Sequence, residues 1–186
     1  MIELDRTQHE ALTCEAKQVL LTGPRGTGKT SVIAERAIWL ILECDVAPEA
    51  IAIVVASPQD EHAMREIAEK PLQKMQYRTF PAIMTAAAFK SAAQNSFAHV
   101  LLDDLQDIDD VTRNAVSACS VSGATVFAAL RTPGESASTE AERASTEKAQ
   151  ASFAAAAHFE LVWIYRTHDA KKKRGPSAGE EQMSLF

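Results

Sequence analysis

Residues 20–32 read LLTGPRGTGKTSV. An apolar run enters Gly23-Pro24-Arg25-Gly26-Thr27-Gly28-Lys29-Thr30, and an amphipathic pattern leaves it. Gly-x4-Gly-Lys-Thr between a strand and a helix is a phosphate-binding loop. Gly23, Gly26 and Gly28 let backbone N–H groups wrap phosphates, and the helix N-terminus adds partial positive charge. Lys29 is expected to reach the β- and γ-phosphates of ATP, and the Thr30 hydroxyl to ligate Mg²⁺.

Outward from the loop, short apolar runs alternate with helical patterns. Asp5 can cap a helix running through Gln8 to about Cys14. Gln18–Thr22, Ile51–Val55, Pro81–Thr85, His99–Asp103 and Ala124–Leu130 read as strands. Helices are expected from Lys29 to about Cys44, over roughly 60–72, from about Ala86, and from about Asp109 to Cys119. Phe159–Tyr165 reads as a final strand. This alternation predicts an α/β fold, a parallel sheet with helices on both faces.

The chain has 186 residues, 46% of them hydrophobic, which suits one domain with a core. No apolar run reaches transmembrane length, and the N-terminus lacks a signal pattern, so a cytoplasmic protein with no membrane partner is expected. Cys14, Cys44 and Cys119 are odd in number and widely spaced, which reads as buried reduced thiols. A net charge of -6 argues against a free-standing nucleic-acid binder. The one basic cluster is Lys171–Arg174.

Two further stretches stand out. "ASTEAER", "ASTEKAQ" and "ASFAAAA" are consecutive seven-residue blocks over 137–157. They place Ala137, Ala144 and Ala151 on one helical face, either an Ala-packed solvated helix or a partner-binding coiled coil. Beyond Ala170 periodicity is lost, so residues 1–170 read as the domain and 171–186 as a disordered tail.

"LLDDLQD", 101–107, is an apolar strand ending in acids. Asp103 at its end suits Mg²⁺ held through its water shell, and Asp104 suits a general base for water.

These motifs resemble superfamily-one DNA helicases of the UvrD, PcrA and Rep kind. Their aspartate-glutamate-x-glutamine-aspartate signature is similar to Asp103–Asp107. "LDRTQHEAL", 4–12, resembles their Q-motif, which implies that Gln8 reads adenine. "GKTSVIAERAIWLI", 28–41, resembles their post-loop helix through Arg36 and Trp39-Leu40. "IYRT", 164–167, resembles motif IV. The resemblance implies that Tyr165 stacks on adenine, that Arg166 touches the γ-phosphate as a catalytic group, and that Gln106 belongs to the nucleotide site. It also implies a single RecA-like domain.

The departures shape the functional expectation. Those helicases carry a subdomain between motif Ib and the acidic strand, whereas about ten residues separate Phe89 from Val100. The motif Ia place reads Val55-Ala-Ser-Pro-Gln-Asp-Glu61, without phenylalanine or lysine, and motif Ib is reduced to Thr85-Ala86-Ala87. Where motif III should supply glutamine and aromatics, the sequence reads Ala129-Leu-Arg-Thr-Pro-Gly-Glu135. Aromatic stacking supplies much single-strand affinity, so direct DNA binding is expected to be weak or absent. Asp104 is one methylene shorter than the family glutamate, retracting the carboxylate by about 1.5 Å. A misplacement near 1 Å can cost roughly a hundredfold in rate, so slow turnover or binding alone is expected. With no second RecA-like domain after motif IV, helicase action by this chain alone is not expected.

Gln182-Met183-Ser-Leu185-Phe186 resembles the bacterial sliding-clamp-binding pentapeptide, which implies Leu185 and Phe186 as apolar anchors and Gln182 as a polar contact. The preceding tether of about eleven residues spans roughly 18 Å as a flexible coil. The expected role is that of an ATP-binding accessory protein in DNA replication, repair or damage tolerance, tethered to the clamp beside a repair or translesion polymerase complex. The alternatives are a DNA-stimulated ATPase completed by a partner chain and, from another class, a small P-loop kinase. The kinase fits Asp103–Asp107 and Ile164–Arg166 less well.

Overall fold

The computed structural model describes residues 4–92, 97–132 and 139–165. Six strands form one sheet, β1 Gln18–Gly23, β2 Ile51–Val55, β3 Ala82–Thr85, β4 His99–Leu102, β5 Thr125–Arg131 and β6 Ala157–Glu160, in the order β3-β2-β4-β5-β1-β6. Every pairing is parallel. The helices are α1 Arg6–Thr13, α2 Lys29–Leu42, α3 Pro58–Lys74, α4 Ala86–Ala92, α5 Asp110–Val121 and α6 Glu140–Ala151. The expected α/β architecture, with helices on both faces, is present.

Alternation along each strand divides the core. Val19 and Leu21 of β1, with Ile51, Ile53 and Val55 of β2, pack under α1, α2 and α3. Leu20, Ala52 and Val54 face the opposite layer with Phe89 of α4, Val116 of α5 and Ala149 of α6. Successive strand side chains point to opposite faces, so strands covered on both sides become continuous apolar runs. Fully burying one such Leu or Ile contributes about 1.5–3 kcal/mol.

The connection from α4 to β4 is short, with no room for an inserted subdomain between Ala92 and His99. Lys90 on α4 instead pairs with Asp109, the N-cap of α5, at 3.0 Å. β5 lies between the loop strand β1 and the acidic strand β4, so the C-terminal ends of all three meet at one edge of the molecule.

Three expectations need correction. The last strand ends at Glu160 rather than Tyr165: Leu161 is buried, while Val162, Trp163, Ile164 and Tyr165 are exposed. Its ladder with β1 runs only from Val19↔Ala157 to Thr22↔Glu160, because β1 then turns into the loop and offers no further partner. In α6 the alanine stripe faces outward. Ala144 and Ala151 are exposed, and the helix docks through Thr146, Ala149 and, just past its end, Phe153. Finally, Cys44 is exposed and Cys14 and Cys119 are half-buried, all three as free thiols. Ala137 and the tail 171–186 lie outside the described residues. Among the described residues no helix is long and apolar enough to cross a membrane.

Candidate nucleotide site

The loop between β1 and α2 is fixed by contacts that only small residues permit. Gly26 and Gly28 have φ of 90° and 83°, in the left-handed region that glycine enters freely. A Cβ on Gly23 would stand 2.6 Å from the Leu161 carbonyl oxygen. Gly28 is also the N-cap of α2 and carries no side-chain cap, so the N–H groups of the first turn remain available to an anion.

Inside the loop Lys29 is buried, its Nζ donating to the carbonyls of Gly23 and Pro24, both at 2.8 Å. Burial lowers its pKa, Asp104 and Asp103 oppose that shift, and Arg131 adds to it. An ammonium whose hydrogen bonds go to two carbonyl oxygens can exchange them for an anionic partner, a stronger acceptor.

The acidic strand end supplies the opposite charge. Asp103 is buried, and its carboxyl is pushed up to about 7, first by burial and then by the neighbouring Asp104. The Thr30 hydroxyl and the Asp104 N–H, the latter at 3.1 Å, both donate to it. A buried carboxylate sharing a hydroxyl with the loop threonine, and short of positive charge, has the donor chemistry of a hard divalent cation site. The residues therefore fit a nucleotide with Mg²⁺: Lys29 and the loop amides for phosphates, Thr30 and Asp103 for the metal.

Asp104 turns the chain in the left-handed region, φ 49°, and its Oδ1 accepts from the Gln106 amide at 3.1 Å. Gln106 is the hub of this corner. It also donates to Asp107 at 2.8 Å, accepts the Arg131 N–H at 2.9 Å, and receives the Ser145 hydroxyl of α6 on its backbone carbonyl at 2.8 Å. Arg131 then pairs with Asp107 at 3.2 Å.

On the other side of the loop, α1 and the segment after β6 converge. The Gln8 side chain closes a capping box with Asp5 and donates to the Thr27 carbonyl at 2.9 Å. Tyr165 donates its hydroxyl to Asp5 at 2.7 Å and its N–H to the Gly26 carbonyl at 2.9 Å. Tyr165 and Gln8 thus flank the same turn of the loop. Burial, then the bond to Asp5, raises the Tyr165 hydroxyl to about 12, so it stays protonated and donating.

The structure brings together Gln8, Gly23, Gly26, Gly28, Lys29, Thr30, Asp103, Asp104, Gln106 and Tyr165. Arg166, Gln182, Met183, Leu185 and Phe186 lie outside the described residues. Sequence reasoning missed Asp5 as the partner of Tyr165, and missed Arg131 and Ser145. A lone arginine at a strand end carries no motif; its only signal was its place, in register with Gly23. Arg36, matched above to a family helix, is structural. It donates to the carbonyls of Leu12 and Cys14 at the end of α1 and stacks on Trp39, its guanidinium carbon 4.6 Å from the ring centroid.

Comparison with known proteins agrees with the fold. Residues 4–91 match the UvrD/REP helicase N-terminal domain. A "Probable DNA helicase" of Mycoplasma pneumoniae is 34% identical over 85 residues, which is 43% of this chain and 16% of that protein. Among solved structures, the UvsW helicase of bacteriophage T4 superposes with a TM-score of 0.60 at 12% identity, over 86% of this chain and 60% of its own. The large terminase of a thermophilic bacteriophage gives 0.59 at 14% identity, over 87% and 46%. The Pif1 helicase of Candida albicans gives 0.51 at 14% identity, over 89% and 41%. The chain spans less than two thirds of each of these proteins, and at such identities the structures speak for the fold alone. It carries a RecA-like, helicase-type nucleotide-binding fold, and its N-terminal part matches the first domain of the UvrD/REP helicases.

Proposed function

We propose that this chain binds ATP with Mg²⁺ and acts as an accessory factor in DNA replication, repair or damage tolerance, turning ATP over slowly and not unwinding DNA by itself. The observation that carries the reading is the contrast between two sets of positions. Around the loop, Lys29, Thr30, Asp103, Gln8 and Tyr165 form one connected cluster. The stretches that touch DNA in the helicases it resembles are changed. Residues 55–61 become the capped start of α3 at Ser57, and 85–87 become the start of α4. Arg131 and Thr132 stand where the motif III glutamine is expected.

In this reading ATP supplies the transferable phosphoryl group and Mg²⁺ neutralises its charge. Lys29 and the amides of the first turn of α2 hold the phosphates, Thr30 and Asp103 hold the metal, and Asp104 is the group available to orient water. Its shorter side chain supports slow turnover. The test is ATP binding and turnover with and without single-stranded DNA, with Lys29→Ala as the control. Attachment to the sliding clamp rests on the sequence Gln182–Phe186. It fails if replacing Gln182, Leu185 and Phe186 together with alanine leaves clamp binding unchanged.

A second reading is a DNA-stimulated ATPase completed by a partner chain. The exposed run Val162-Trp163-Ile164-Tyr165, leaving the nucleotide site, favours it. Turnover rising several-fold with a co-purifying protein would establish it over the first.

A further inference from the structure

We propose that the outer edge of β6 is a self-association site, where a second copy of this chain adds its own β6 antiparallel, about a two-fold axis at Phe159. The inference does not depend on the nucleotide-binding reading.

The sheet ends on β3 and on β6, and the two edges are finished differently. On β3, Arg65 of α3 donates to the Ile83 carbonyl at 2.7 Å, with Glu61 and Glu69 holding its guanidinium. A charge laid across an edge carbonyl blocks strand addition. β6 lacks such a cover among the described residues. In a ladder, the backbone groups of successive residues point alternately to one neighbour and to the other. The Leu161 N–H donates to the Thr22 carbonyl, so Ala157, Phe159 and Leu161 face β1. The N–H and C=O groups of His158 and Glu160 therefore point outward, and among the described residues nothing bonds them. Both side chains are exposed, and the exposed Val162 and Trp163 follow directly.

The sequence of β6 decides what fits this edge. Antiparallel strands exchange backbone bonds between residues that stand directly opposite. With Phe159 on the axis, His158 stands opposite the second copy's Glu160, and Glu160 opposite the second copy's His158. Their outward backbone groups are then all paired, and an imidazole meets a carboxylate on each side of the axis. Phe159 meets its own counterpart at the non-hydrogen-bonded position, where side chains come closest. Moving the axis to Glu160 sets carboxylate against carboxylate, and moving it to His158 sets imidazole against imidazole. Charge complementarity thus selects the register centred on Phe159. Such a contact is isologous and uses up the open edge of each copy. With β3 blocked by Arg65, assembly stops at two. The loop ends of the two sheets then point in opposite directions, so neither copy completes the other's nucleotide site.

The test is sedimentation velocity on the full chain from about 1 to 200 µM, because so short a contact belongs at the weak, micromolar end of specific association. Wild type should pass from monomer to dimer across that range. His158→Glu sets like charges opposite one another and should raise the dissociation constant about tenfold. Adding Glu160→Lys reverses both signs and should bring it back to within about threefold of wild type. Glu160→Pro removes an outward N–H without touching the ladder to β1, and should abolish the dimer in a chain that still melts cooperatively. A monomer at every concentration overturns the proposal and leaves the edge to an extended segment of another protein. A dimer that His158→Glu does not weaken, or a loss that the charge swap does not recover, overturns it as well.

Discussion

Tyr165 donates its hydroxyl to the Asp5 carboxylate at 2.7 Å across 160 residues of sequence. The bond joins the N-cap of α1 to the segment that leaves β6. It holds the half-exposed Tyr165, whose backbone N–H bonds the Gly26 carbonyl, against the loop. If the ring carries the adenine, Tyr165→Ala should weaken ATP by about tenfold, the scale of one aromatic stacking contact. Tyr165→Phe loses only the partly exposed bond to Asp5 and should stay within about threefold. Titration with a fluorescent nucleotide reads both.

Gly28 is fixed twice, by its φ of 83° and by Gln8. A Cβ there would meet Gln8 Nε2 at 2.8 Å. Gly28→Ala should cost about 1–3 kcal/mol in urea unfolding. Adding Gln8→Ala should recover only part of that loss, because the backbone strain remains.

The face by which α6 docks gives a paired prediction. Ala149 is fully buried and Ala144 exposed. Ala149→Gln should destabilise by about 2 kcal/mol or more through overpacking, and Ala144→Gln by less than about 0.5 kcal/mol. Reversed effects would restore the alanine stripe as the packing face.

Asp109 gives the pH dependence. The N–H of Thr112 and the ammonium of Lys90 hold its carboxyl down at about 2. A folded-state pKa below the unfolded one means that the unfolded chain takes up the proton first. The stabilisation is present above about pH 4 and is lost as pH falls toward 2. Thermal melts from pH 6 to pH 2 should show a smaller fall for Asp109→Asn than for wild type in that window. An identical fall contradicts the assignment.

The parts of the fold legible from sequence were those where local pattern and tertiary burial agree. Ile51–Val55 is apolar at every position because both faces of β2 are covered, and the loop announces its strand and helix together. The last strand misled because Leu161-Val-Trp-Ile-Tyr165 has strand composition, yet β1 offers it no edge beyond Thr22. In α6 the seven-residue spacing put Ala144 and Ala151 on one face, and both are exposed. Spacing does not say which face turns inward; Thr146, Ala149 and Phe153 decide that through contacts remote in sequence. In the site, glycines, lysine and acids sit at fixed offsets and could be found. Arg131 and Ser145 reach it through β5 and α6, whose positions only the sheet order sets.

The most direct test of the account is ATP–Mg²⁺ binding and turnover by the purified protein, with and without single-stranded DNA, beside Lys29→Ala. The account predicts saturable binding that is lost in the variant, with slow turnover that DNA does not change. Rapid turnover stimulated by DNA, or no binding by wild type, would contradict it.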